Sequence, residues 1–132
     1  MTRKQLEEHR QLQAKLNAAR SVYHQLELQA LPGAQRLDGM PRARSNADKV
    51  GELGMELARQ WLDVEKLERE VTVSRAPIEM YIETLDEPVT RLIIGLRVLC
   101  ALSWKEVAIY CGKDWSVESV RKRFHAAVSG LP

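Results

Sequence analysis

Residues 103–128 read SWKEVAIYCGKDWSVESVRKRFHAAV, and most of what we predict for this chain starts from them. Ser103 stands three residues before Glu106, which is the spacing of a capping box at the start of a helix. Gly112 ends that short helix. Ala108 and Gly112 have the spacing found inside a helix-turn-helix, where a small residue admits the second helix closely and glycine supplies the turn.

The helix after this turn is basic and has Ser116 as its predicted N-cap. Its apolar residues recur every four positions, at Val120, Phe124 and Val128, and predict the inward face. A helix of this kind can enter the major groove of DNA, where Arg and Lys reach guanine edges or phosphates. We therefore predict a DNA-binding site made of Ser116, Glu118, Ser119, Arg121, Lys122, Arg123 and His125. The competing interpretation is a three-helix packing unit whose basic face is only solvated.

The three successive basic residues of this helix cannot share one direction, because neighbours on a helix are about 100° apart. With Val120 and Phe124 inward, Lys122 points furthest out. Arg121 and Arg123 then reach sideways, and we expect one of them to contact DNA and the other to reach the DNA backbone or the acidic Asp86–Glu87 region.

Two long helices are predicted upstream. The first covers residues 2–30, and its stripe has heptad spacing through Leu12, Leu16, Ala19, Tyr23, Leu26 and Ala30. A loop over 32–47 follows, with Ser45 or Asn46 as the next N-cap. The second helix carries a matching stripe of Val50, Leu53, Leu57, Trp61, Val64, Leu67 and Val71. The pair forms either an antiparallel hairpin within one chain or an intermolecular coiled coil, and its thin core favours self-association.

Two prolines predict helix starts further along the chain. Pro77 places a start near Ser74–Ala76, and the segment Asp86-Glu87-Pro88 places another with Asp86 as the cap. The helix after Pro88 is expected to turn Val89, Leu92, Ile93, Leu96 and Leu99 inward. No segment alternates with period two, so the predicted class is all-α. We predict that residues 1–73 form a helical hairpin and oligomerisation region, and that residues 74–132 form the helix-turn-helix domain.

Composition limits the function classes. The 132 residues carry 20 Lys and Arg against 18 Asp and Glu, and 45% are hydrophobic, so neither a polycation nor a disordered chain is expected. No apolar run would span a membrane, and no signal peptide is evident. Cys100 and Cys111 are read as small buried hydrophobes, and the three histidines, His9, His24 and His125, as neutral surface residues. We expect no enzyme, no metal and no cofactor.

Residues 86–131 resemble region four of bacterial sigma factors, in Asp86-Glu87-Pro88, Leu96-Arg97, Ser103 through Ala108 and the series Ser116, Val120 and His125-Ala126-Ala127. They are still more similar to small phage-encoded proteins of the autolysin-regulator and late-gene-regulator type. Those proteins also carry a Met-Pro loop and an Asp-Lys-Val segment, matched here by Asp38-Gly39-Met40-Pro41 and Asp48-Lys49-Val50.

This resemblance implies a phage or prophage transcription regulator that binds double-stranded DNA in the cytoplasm of a bacterial host, with RNA polymerase as a candidate partner. A homodimer or higher homo-oligomer would place two recognition helices on two half-sites. Two alternatives remain open at this point. One is a DNA-packaging subunit like a small terminase, and the other is a protein-interaction or assembly subunit.

Overall fold

The computed structural model describes residues 1–30 and 43–132, and the side chains of residues 1–30 and 50–132. Within these ranges all regular structure is helical, which confirms the all-α class. The elements are α1 (Arg3–Ala30), α2 (Ala43–Glu83), α3 (Pro88–Ile94), a π-helical turn (Gly95–Leu99), α4 (Trp104–Cys111) and α5 (Val117–Val128). None of the helices described is long and apolar enough to cross a membrane.

Helix α2 continues through Pro77, so the predicted break near Ser74–Ala76 is wrong, and the predicted boundary between residues 73 and 74 falls inside this helix. A proline inside a helix costs about 3 kcal/mol, partly because the carbonyl four residues earlier loses its partner. That carbonyl belongs to Val73, which is exposed, as is Pro77. Water can therefore bond to the carbonyl, while Val71 and Ile78 on either side of the proline are buried and hold the helix in place.

The start of α2 also differs from the prediction. The helix begins at Ala43, so Ser45 and Asn46 lie inside it and neither is its N-cap. The predicted loop over 32–47 is therefore shorter at its C-terminal end, and its remaining part, up to residue 42, lies outside the described residues.

The described chain divides into two compact units. The smaller unit is Leu16–Glu68 and holds parts of α1 and α2. Here the rings of Tyr23 and Trp61 lie 5.5 Å apart, and Arg20 pairs with Glu68 at 3.1 Å. Residue numbers rise along one helix as they fall along the other, so the two segments run antiparallel in this unit.

The larger unit consists of Met1–Lys15 and Arg69–Pro132 and has two hydrophobic clusters. The first cluster is Leu6, Ile78, Ile94, Val98 and Val128, and the second is Ile93, Val107, Ala108 and Val120. The adjacent residues Ile93 and Ile94 belong to different clusters, so α3 is buried on two sides. The expectation that Leu92 points inward is wrong, since 45% of it is exposed. A pattern with a single apolar stripe describes one buried side, so it cannot describe a helix that is buried on two. The π-helical turn that follows also changes the direction in which the later side chains point.

The two-sided burial of α3 predicts opposite results for neighbouring truncations. Replacing Ile93, which is fully buried, by Ala should lower the free energy of unfolding by about 2–5 kcal/mol, because it removes apolar contacts and leaves a cavity. Replacing the exposed Leu92 by Ala should change it by less than about 0.5 kcal/mol. Urea unfolding followed by circular dichroism measures both, and equal effects would contradict this packing.

His9 is buried in the larger unit, with 1% of its surface exposed, so the expectation of a surface histidine is wrong. Its Nδ1 lies 2.5 Å from the Ser74 hydroxyl, and its Nε2 has no hydrogen-bond partner among the described residues. Burial lowers the pKa of His9, the positive charge of Arg75 lowers it further, and Glu79 acts in the opposite direction. Glu8 lines the same cavity as His9 and Ser74. The folded state therefore favours neutral His9.

This pKa shift predicts a loss of stability in acid. The unfolded chain binds the extra proton more readily than the folded chain does. The free energy of unfolding should therefore fall as the pH drops below the ordinary histidine pKa of 6.5, and the contribution of neutral His9 to stability should be complete above that pH. In His9→Gln this part of the pH dependence should disappear. His24→Gln, which changes an exposed histidine of the same helix, is the matched control. If the urea midpoints of the two variants depended on pH in the same way, the assignment of this pH dependence to His9 would be contradicted.

The two cysteines differ from each other, and the expectation that both are buried is wrong for Cys100, which is exposed at the end of the π-helical turn. Cys111 is half-buried, and burial raises the pKa of its thiol.

We therefore expect a thiol reagent to label Cys100 of the native protein well before Cys111, because the thiolate is the reacting form and must be accessible. Mass spectrometry of the labelled peptides gives the order. Faster labelling of Cys111 would contradict this expectation. Labelling in denaturant is the control, because both cysteines should then react at equal rates.

Candidate nucleic-acid interface

Helix α4 begins with the predicted capping box. The Ser103 hydroxyl accepts a hydrogen bond from the Glu106 amide at 3.3 Å, and the Glu106 carboxylate accepts from the Ser103 amide at 3.2 Å. Val107 and Ala108 then face the second cluster and are buried, as predicted. The cap fixes where α4 begins, and the buried pair fixes which of its faces packs on the second cluster.

The connection to α5 covers residues 112–116 and begins at Gly112, whose φ is 110°. A side chain is strained at such a φ, so glycine suits this position. Ser116 caps α5 by accepting from the Ser119 amide at 3.1 Å, and the Ser119 hydroxyl accepts from the Ser116 amide at 2.8 Å. The structure thus places two predicted DNA-contacting residues, Ser116 and Ser119, in the cap that starts the helix.

The orientation of α5 agrees with the prediction. Val120 and Val128 are buried and Phe124 is half-buried, so Lys122 points furthest from the core, with 77% of its side chain exposed. Glu118 is equally exposed and lies one turn earlier, 3.5 Å from the Lys122 ammonium. An exposed pair of this kind contributes little to stability, so Lys122 can exchange Glu118 for another anion at low cost.

The positive charge on one edge of α5, the edge that carries Arg123, is neutralised. Arg123 donates a hydrogen bond to the Glu87 carboxylate at 2.5 Å, and its guanidinium lies 5.5 Å from the centre of the Trp115 ring. Glu87 is also the N-cap residue of α3, in place of the predicted Asp86, although its side chain makes no capping bond. The prediction that one arginine reaches the Asp86–Glu87 region is confirmed, and Arg123 is that arginine.

The opposite edge carries Arg121 and leads to Arg97, a residue that we did not predict as part of the site. The Arg97 guanidinium lies 4.3 Å above the Trp104 ring and donates to the Leu102 carbonyl at 2.9 Å. Burial is the largest cause that lowers the pKa of Arg97, and the charges of Arg10 and Arg121 lower it further. Glu7 acts in the opposite direction. The positive charges of two other cations therefore act on Arg97.

A groove of about 290 Å³ extends the same edge onto α1. His125 of α5 lies on its lining together with Arg3, Glu7 and Arg10 of α1, above an apolar floor formed by Leu6, Val98, Phe124 and Val128. The His125 ring also lies 6.1 Å from that of Trp104. The α1 residues were missed because more than a hundred positions separate them from α5, and no local pattern in the sequence reports such a contact.

The seven predicted residues therefore fall into four settings. Ser116 and Ser119 form a cap, Glu118 and Lys122 form an exposed pair, and Arg123 is held by Glu87. Arg121 and His125 lie on the exposed side towards Arg97 and α1. Among the described residues no group of three or more His, Cys, Asp or Glu side chains could hold a metal ion.

Three of the motifs that resemble sigma region four coincide with helix starts in this structure. Pro88 is the first residue of α3, Ser103 caps α4, and Ser116 caps α5. Caps of this type occur in many helical proteins, so the family stays a prediction. The chain matches no protein-family model, no curated protein and no solved structure.

Proposed function

We propose that this chain binds double-stranded DNA through α5 and acts as a phage-type transcription regulator. In this proposal α4 and α5 form a helix-turn-helix, and the two long helices form a hairpin ahead of it. One observation carries the proposal: α5 is fixed by buried Val120 and Val128 and still presents Arg121 and Lys122 to solvent. The major groove of DNA is wide enough to admit such a helix, and the exposed cations can then reach base edges and phosphates.

The charge arrangement on α5 suits a helix that enters a groove. Lys122 lies at the centre of the exposed face and Arg121 lies at its edge, so the two can reach a base edge and a phosphate of the same site. Glu118 is at the N-terminal end of the helix, where it would repel phosphate but could accept a hydrogen bond from cytosine. Arg123 is a positioning residue in this scheme, because Glu87 holds it against the start of α3.

The long helices support self-association. In the smaller unit Val22, Leu28, Met55 and Leu62 are exposed, and Leu16 and Val64 are the large apolar residues buried there among those described. A second copy covering such side chains would give the dimer that a two-half-site regulator needs. Oligomer size separates this proposal from DNA packaging, since a ring of many subunits would favour packaging. The bacterial cytoplasm and an RNA polymerase partner belong to the same proposal.

We expect Arg121→Ala and Lys122→Ala each to weaken binding to duplex DNA while the fold stays intact by circular dichroism. The loss of one phosphate contact should lower the slope of log K against log salt by about one and weaken binding to every sequence. The loss of a base contact should cost about 1–3 kcal/mol at one base position and leave the slope unchanged. Fluorescence anisotropy at several salt concentrations separates these two cases.

Lys66→Ala removes the same charge from an exposed position on α2 and is the control for net charge. Arg123→Ala should weaken DNA binding less than Arg121→Ala or Lys122→Ala does, because Arg123 is held by Glu87. If Arg121→Ala and Lys122→Ala together bind duplex DNA as the Lys66→Ala control does, α5 is not a DNA-binding helix, and the protein-interaction alternative replaces this proposal.

A further inference from the structure

The two edges of α5 differ in how their positive charge is balanced. On one edge, Arg123 is paired with Glu87 and lies against Trp115. On the other edge, Arg121 has no ion-pair partner among the residues that the structure describes, and its positive charge acts on a second cation, Arg97, whose pKa it lowers. A DNA backbone that approaches α5 is therefore attracted to the Arg121 side.

The positive charge on that side continues from α5 to α1. Arg97 lies on the face of Trp104, and the Trp104 ring neighbours that of His125. His125 shares its groove with Arg3 and Arg10. We call Arg3, Arg10, Arg97 and Arg121 the arginine edge. Three separate parts of the chain contribute to it: α1, the π-helical turn and α5.

The arginine edge gathers four cations, of which Arg10 is paired with a carboxylate. Of the described residues that line the groove, one is a carboxylate, Glu7, and Arg10 already binds it through both Nε and Nη2. Like charges repel more strongly when they are partly buried, because screening by water is weaker there. A polyanion that lies along the edge relieves this repulsion, and the planar guanidinium groups match the geometry of phosphate.

We propose that the arginine edge binds the phosphodiester backbone of duplex DNA beside the groove that α5 enters, with Arg3 and Arg10 of α1 as contacts outside the helix-turn-helix. This inference rests on the proposed function and adds a second contact region to it. DNA would then touch both the first and the last helix of the larger unit, and its backbone would lie on the Arg121 side of α5.

The test uses the full chain and a duplex to which the wild-type protein binds. Arg3→Gln and Arg10→Gln are combined, and the matched control combines Lys66→Gln and Arg69→Gln, which removes the same charge from exposed positions on α2. At about 0.1 M salt each lost phosphate contact should weaken binding roughly eightfold and lower the salt slope by about 0.9. The control pair should change neither quantity by a comparable amount. Glu7→Gln removes the carboxylate from the edge and should tighten binding.

The outcomes separate the two proposals. If Arg121→Ala and Lys122→Ala weaken binding but the Arg3 and Arg10 double variant matches its control, the arginine edge is overturned and the role of α5 stands. If the double variant does not fold, Glu7→Gln decides, and binding that is not tighter overturns the arginine edge. A wild-type protein that binds no duplex DNA overturns both proposals.

Discussion

The burial of two consecutive residues, Ile93 and Ile94, is the constraint on which the larger unit depends. Neighbours on a helix point about 100° apart, so a helix that buries both must be covered on two sides. Ile94 packs with Leu6 of α1 and Ile78 of α2, whereas Ile93 packs with residues of α4 and α5. Helix α3 therefore joins the ends of the long helices to the two short helices that follow it.

The position of α5 follows from this arrangement. Phe124 packs against both hydrophobic clusters, so α5 lies where they meet and its outward direction is fixed. Its two edges then face different neighbours: the Arg123 edge faces the start of α3, and the Arg121 edge faces the π-helical turn and α1. One basic triplet in the sequence thus becomes a structural contact on one side and, among the described residues, a charge without an ion-pair partner on the other.

Features that depend on residues three or four positions apart could be predicted from the sequence. The caps at Ser103 and Ser116 and the inward direction of Val120 are of this kind, because their geometry is set within one helical turn. Features that depend on distant partners could not. The burial of His9 needs Ser74, sixty-five positions away, and the continuous path of α2 through Pro77 needs packing partners for Ile78 from α1 and α3.

Arg97 shows why a residue beside the candidate interface can escape a sequence pattern that predicts its neighbours. Its hydrogen bond to the Leu102 carbonyl and its contact with Trp104 close the short connection before α4, where Ala101 has a φ of 55°. A φ of this size is uncommon for a residue with a Cβ, so these contacts stabilise a strained turn. Burial lowers the pKa of Arg97 below its ordinary value, but a guanidinium stays charged at neutral pH. One side chain can therefore shape the turn and keep a permanent positive charge beside the candidate interface.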